Sequence, residues 1–282
     1  MRAGGGLAVV AFVAVATAAS AQQRPLSTED PEPVGPGRVL VEAGFDYARS
    51  VEYPASGLEG NLLRVPLVGV SIGLSSIAEL QFDGGLYNRL SISSRDPGAP
   101  LASMVTATGD STSSIEDLVV ATKIRMLSER PGRPSFGIRF ATKLPNASNE
   151  SGLGLDTTDF YAALLAAKTV RSLRMVFNGG LGILGDPTRG DRQNDVLTYG
   201  ASFARALTSA FEVVGEVNGR LDTRAGEPPP GTESRSLLRA GARYTTGGWR
   251  GDAAVFFGLT ERDPSFGVAA GFTYVFNAFT VP

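Results

Sequence analysis

From Ser265 to Phe276 the chain alternates strictly. Phe266, Val268, Ala270, Phe272, Tyr274 and Phe276 fall on every second position, with Ser265, Gly267, Ala269, Gly271 and Thr273 between them. A period of two predicts a β-strand with one bulky apolar face. The same alternation recurs upstream. In 135–143, Phe136, Ile138 and Phe140 oppose Arg139 and Lys143, and in 249–260, Trp249, Val255 and Phe257 oppose Arg250 and Asp252. Twelve such segments are predicted, over 38–53, 61–74, 77–93, 115–127, 135–144, 160–169, 173–184, 196–207, 211–222, 234–245, 249–260 and 265–276. Two fit the pattern poorly. The second carries Pro66 and is apolar at both parities, and the sixth, "FYAALLAAK", has a helix-like composition.

The connections alternate as well. Short ones follow the second, fourth, sixth, eighth and tenth segments, around Ser75, Ser128, Val170, Thr208 and Thr246, and most of those between are longer and polar. Short turns at one end and long loops at the other predict an all-β fold: an antiparallel transmembrane β-barrel of about 12 strands with periplasmic turns and extracellular loops. A soluble sandwich accommodates the same alternation with its faces reversed. Two features favour the barrel. Tyr244, Trp249 and Phe276 gather beside short turns, where strands cross from lipid to headgroups, and closure satisfies every backbone group without an edge.

The N-terminus supports export. Arg2, an apolar run from Leu7 to about Ala16 and the small residues Ala19-Ser20-Ala21 read as a signal peptide over 1–21. The run is too short for a spanning helix. Residues 22–37, rich in proline and acid and without periodicity, read as an N-terminal periplasmic leader ahead of a barrel over 38–282. Whether Pro25–Gly37 hangs free or enters the lumen is not set by its sequence. With 26 basic and 28 acidic residues the formal charge is −2, which argues against a nucleic-acid partner. The expected partners are outer-membrane lipid, the barrel-insertion machinery and a small-molecule solute, and the expected location is the cell outer membrane. Cysteine and histidine are both absent, so thiolate sites, zinc sites and most general-base designs are removed. No cofactor, metal or catalytic set is expected, and the chain is read as a non-enzyme.

The charged face of the strands carries the candidate chemistry. If Glu216 pairs with Arg239 across the ninth and tenth strands, the same register sets Glu212 beside Arg243, Arg220 beside Arg235, and Phe211 beside Tyr244. Two carboxylate–guanidinium rungs then line the lumen, and a one-residue slip destroys them. Arg139, Lys143, Arg250 and Asp252 are placed on the same lining, with Lys123, Arg125 and Arg174, offset by Glu42, Asp46, Glu79, Asp83 and Asp117. Such groups act either as solvated charges in a wet channel or as a bias on what passes. The run Gly180–Gly185 spells G-x-G-x-x-G but meets a loop at Asp186-Pro187 instead of the helix that a dinucleotide site requires. The acidic loops "GLGLDTTD" and "GDPTRGDRQND" lack the spacing of a calcium loop.

Four stretches carry a resemblance: "PLSTEDPEPVGPGRVLVEAGFDY", "SIEDLVVATKIRML", "FATKLPNA" and "FNGGLGILGD". Together they resemble the outer-membrane barrels of the meta-pathway phenol degradation family over most of the chain after residue 21. The resemblance implies a transporter-like barrel for small, often aromatic, compounds. The function expected is a passive channel or transporter for small solutes; the alternative is a non-conducting structural or binding barrel with surface loops.

Overall fold

A computed structural model describes residues 24–281; the signal peptide expected over 1–21 lies outside them. Twelve wall positions close into one antiparallel barrel. The first two are β1 (Arg38–Tyr53) and β2 (Leu58–Gly73). The third is shared by β3 (Ala78–Gly85) and β4 (Asn88–Arg95), and the fourth by β5 (Ser111–Ser114) and β6 (Leu118–Leu127). The rest are β7 (Ser135–Leu144), β8 (Asp159–Val170), β9 (Leu173–Gly185), β10 (Gln193–Ala206), β11 (Phe211–Asp222), β12 (Arg235–Thr246), β13 (Trp249–Gly258) and β14 (Phe266–Asn277). Pairing of β1 with β14, from Arg38↔Asn277 to Arg49↔Phe266, closes the ring.

Both poorly patterned segments are strands. Pro66 lies where β3 gives way to β4: Arg64 pairs with Asn88 and Leu67 with Gly85, and the β1 ladder also shifts register there, between Gly44 and Asp46. A residue without an N–H is tolerated at such an irregularity. The helix-like run in β8 is paired on both sides, with β7 and β9, so ladder closure overrides composition. The predicted third segment, expected as one unbroken strand, is split by Leu86 and Tyr87 into β3 and β4. The fourth, expected over 115–127, begins at Leu118 as β6, and β5 lies ahead of it in what reads as a loop.

Burial is inverted relative to a soluble domain. Lys123 and Glu79 are 0% exposed, while Leu164 is 69% and Phe177 54% exposed. Charged residues therefore line the inside, and the large apolar side chains form the outer face that lipid covers. At the turn end, Trp249 stacks on Tyr274 with centroids 4.3 Å apart, and Tyr274 on Phe276 at 5.7 Å. This is the aromatic belt of a membrane interface. Among the described residues no helix is long and apolar enough to cross a membrane; the crossing is made by strands.

Candidate functional site in the barrel lumen

The hairpin of β11 and β12 adopts the predicted register: Glu212↔Arg243, Glu216↔Arg239, Arg220↔Arg235 and Phe211↔Tyr244. A slip by one residue would turn these charges to lipid, at about 2–4 kcal/mol for each arginine near the midplane. Parity thus fixes which side chains face the lumen, while a slip by two would keep the faces and change the pairs. It does not fix what the side chains bind.

That is decided by the segment 24–37, expected ahead of the barrel and found against its inner wall. Arg24 Nε lies 3.6 Å from Asp252 Oδ2 on β13, and Arg24 Nη2 donates to the Ala270 carbonyl of β14 at 3.0 Å. Next along the chain, the backbone N–H groups of Ser27 and Thr28 donate to Glu216 Oε2 at 2.8 and 2.5 Å. Asn178 of β9 clasps Glu29 by its backbone, accepting from the N–H at 2.7 Å and donating to the carbonyl at 2.8 Å. The Glu29 carboxylate meets Arg139 Nε at 2.9 Å and Lys123 Nζ at 3.4 Å. Asp30 pairs with Arg174 and Glu32 with Arg125. The Val34 N–H donates to Glu79 Oε2 at 2.6 Å. The leader therefore touches wall strands from β14 round to β3 before β1 begins.

The leader enters the rungs expected between strands. Arg239 Nη1 pairs with Glu216 Oε1 at 4.0 Å, while the Ser27 and Thr28 amides hold the same carboxylate at shorter range. Arg239 also donates to the Pro25 carbonyl at 2.8 Å and Ser27 Oγ at 3.0 Å, and lies 5.3 Å from the Phe256 ring centre. Arg243 donates to the Arg24 carbonyl at 2.8 Å. Glu212 has Arg250 Nη2 at 3.7 Å, and Arg250 Nε donates to Thr245 Oγ1 at 3.0 Å. Lys143 sits between Asp117 at 3.1 Å and Asp159 at 2.9 Å. Arg220 and Arg235 lie nearer the loop end and contact the leader nowhere among these bonds; both donate to backbone carbonyls.

Wall residues make room for the leader. A Cβ on Gly200 of β10 would lie 2.9 Å from Thr28 Oγ1, and one on Gly271 of β14 would lie 2.6 Å from Arg24 Nε. The sequence reading missed Arg24, Glu29, Asp30 and Glu32 as lumenal groups. Their signal was present as an acidic stretch with no periodicity beside a surplus of cations on β6, β7 and β9.

Among the described residues two adjoining cavities lie within the barrel. One of about 480 Å3 lies beside the leader, against β1–β3, β6 and β7; the other, of about 420 Å3, lies toward the loops. Arg64, Asp117, Lys143 and Arg239 border both. The volumes are in the range of small-molecule sites.

The family model described as "Putative MetA-pathway of phenol degradation" matches residues 22–276, so the match begins in the leader. No curated protein matches the sequence. Among solved structures, the chain is similar to an outer membrane channel from Pseudomonas putida F1, with TM-score 0.63 and 14% identity over 88% of this chain and 98% of that one. It is less similar to the translocator domain of the autotransporter NalP from Neisseria meningitidis, with TM-score 0.49 and 14% identity over 85% and 88% of the two chains. For the Pseudomonas putida toluene transporter TodX, the TM-score is 0.38 at 10% identity, over 86% and 89%. At these identities the likeness to the first is one of fold.

Proposed function

Because the chain belongs to the family of the phenol-degradation meta-pathway, we propose that it is an outer-membrane channel giving small, often aromatic, solutes a passive route past the leader. The single observation that carries this reading is the pair of adjoining cavities, which share Arg64, Asp117, Lys143 and Arg239. Together they run from the loop end to the flank of residues 24–27. The fold shared with an outer membrane channel supports it. The lumenal charges position the leader and hydrate the route; apart from Arg220 and Arg235, which hold loop carbonyls, most are engaged with one another or with the leader, which supports a non-enzymatic role. The aromatic end of β14 is read as the signal that the barrel-insertion machinery recognises.

Occupation of the lumen by residues 24–37 favours a second reading, a barrel that binds without conducting. Conductance in planar bilayers separates the two. The full chain is expected to give small, reproducible current steps, and a chain lacking residues 22–33 larger ones. Silence from both would refute the channel.

A further inference from the structure

The cavity toward the loops is two-sided. Val51, Tyr53, Leu62, Leu153 and Leu237 give it an apolar wall. Facing the same space, Arg220 on β11 and Arg235 on β12 stand directly opposite each other. Like charges in that relation repel, so an arrangement of this kind is relieved by an anion. The protein supplies little. Asp263, Glu233 and Glu52 are near Arg235, yet each has other partners. Asp263 Oδ2 accepts from the Ser236 and Thr260 amides at 2.9 and 3.0 Å and from Thr260 Oγ1 at 2.6 Å. Glu233 Oε1 accepts from Gly231 N at 2.9 Å while its Oε2 is buried without a hydrogen-bond partner among the described residues and reaches neither arginine, and Glu52 pairs with Arg262 at 3.0 Å. Among the described residues, no ion pair reaches either arginine.

Both guanidinium groups are held from behind. Arg220 donates to the carbonyls of Glu233 at 2.8 Å and Gly231 at 2.6 Å. Arg235 donates to those of Arg262 and, at 3.2 Å, Glu52. A guanidinium has five donors, and two are used in each case. The carbonyls fix the planes without neutralising the charge. Oriented forks beside an apolar wall are an arrangement that recognises a carboxylate bidentately.

We propose that this cavity is a binding site for a small monocarboxylate with an apolar body. Its carboxylate bridges Arg220 and Arg235, and its body lies against Tyr53, Leu62 and Leu153. The site rests on the channel reading only in that it lies on the proposed route; occupancy does not require conduction.

Benzoate is the probe, titrated against the full chain in detergent by calorimetry, with benzyl alcohol and inorganic phosphate as controls. Arg220→Gln/Arg235→Gln is expected to weaken benzoate at least about tenfold, equivalent to about 1.4 kcal/mol, while the heat-modifiable mobility of the barrel is retained. Where that double variant does not fold, Arg235→Lys keeps the charge, loses the fork and is expected to weaken benzoate by a smaller factor. Benzyl alcohol and phosphate are expected to bind more weakly than benzoate. Benzoate affinity unchanged in a folded variant, or matched by either control, overturns the site. A protein that binds benzoate through these arginines but passes no ions would sink the channel and leave the site standing. A conducting protein whose benzoate affinity ignores both substitutions would do the reverse.

Discussion

Glu29, in the leader, places its carboxylate 2.9 Å from Arg139 on β7, joining a segment without periodic pattern to a wall strand more than a hundred residues away. The same carboxylate reaches Lys123, which also pairs with Glu79 at 2.9 Å. Leader and wall thus share one buried charge cluster.

Lys123 is fully buried between two carboxylates. Removing one partner of a buried pair leaves the others uncompensated, a loss of about 3–5 kcal/mol. Lys123→Met is expected to fall at the lower end, because Glu29 keeps Arg139. Adding Glu79→Gln should recover part of the loss, since one of the two stranded charges is then removed. Denaturant unfolding of the folded barrel in detergent, run as a double-mutant cycle, checks both signs.

Glu216 holds the leader through two amides. Glu216→Ala removes charge-assisted acceptors worth about 1.5–3 kcal/mol each but touches no backbone ladder bond. The leader, not the barrel, should loosen. Hydrogen exchange at Ser27 and Thr28 is expected to accelerate while the β11 and β12 amides keep their protection. Equal acceleration in both would show that the two are a single unit.

The turn between β6 and β7 carries a pH-dependent clasp. Burial pushes the Glu129 carboxyl up, but hydrogen bonds from Thr169 and Lys168, with the charge of Arg174, outweigh it and hold the group below the usual carboxylate range. A depressed folded-state value contributes stability that is complete above the unfolded value, near 4.3, and lost as pH falls through the folded one. Exchange at the Thr169 amide, which donates to Glu129 at 2.8 Å, is therefore expected to rise below that range relative to neighbouring amides. In Glu129→Gln the pH dependence should disappear.

The strand faces were legible because they follow from parity, and the β11–β12 register because matching carboxylates to guanidiniums selects among the registers, two residues apart, that parity allows. Charge on alternate positions excludes every odd slip, since that would turn the guanidiniums to lipid. The positions of Glu212, Glu216, Arg239 and Arg243 follow from that rule. Their partners do not, because a side chain bonds whatever donor reaches it. Here the donors are amides and carbonyls of residues 24–28, which carry no periodic signature. The interruption of the third wall strand was hidden for a related reason. Leu86 and Tyr87 suit a strand by composition, and only Pro66 on the facing strand marks the break.

The central claim is that residues 24–37 lie inside the lumen, and the absence of native cysteine allows it to be tested with one introduced pair. Thr28 Cβ stands 3.6 Å from the position of a Cβ on Gly200, within the range a disulfide spans. Thr28→Cys/Gly200→Cys, oxidised in intact outer membranes, is expected to form an internal disulfide nearly completely. Free thiols at both positions in a folded, membrane-inserted barrel would contradict the account.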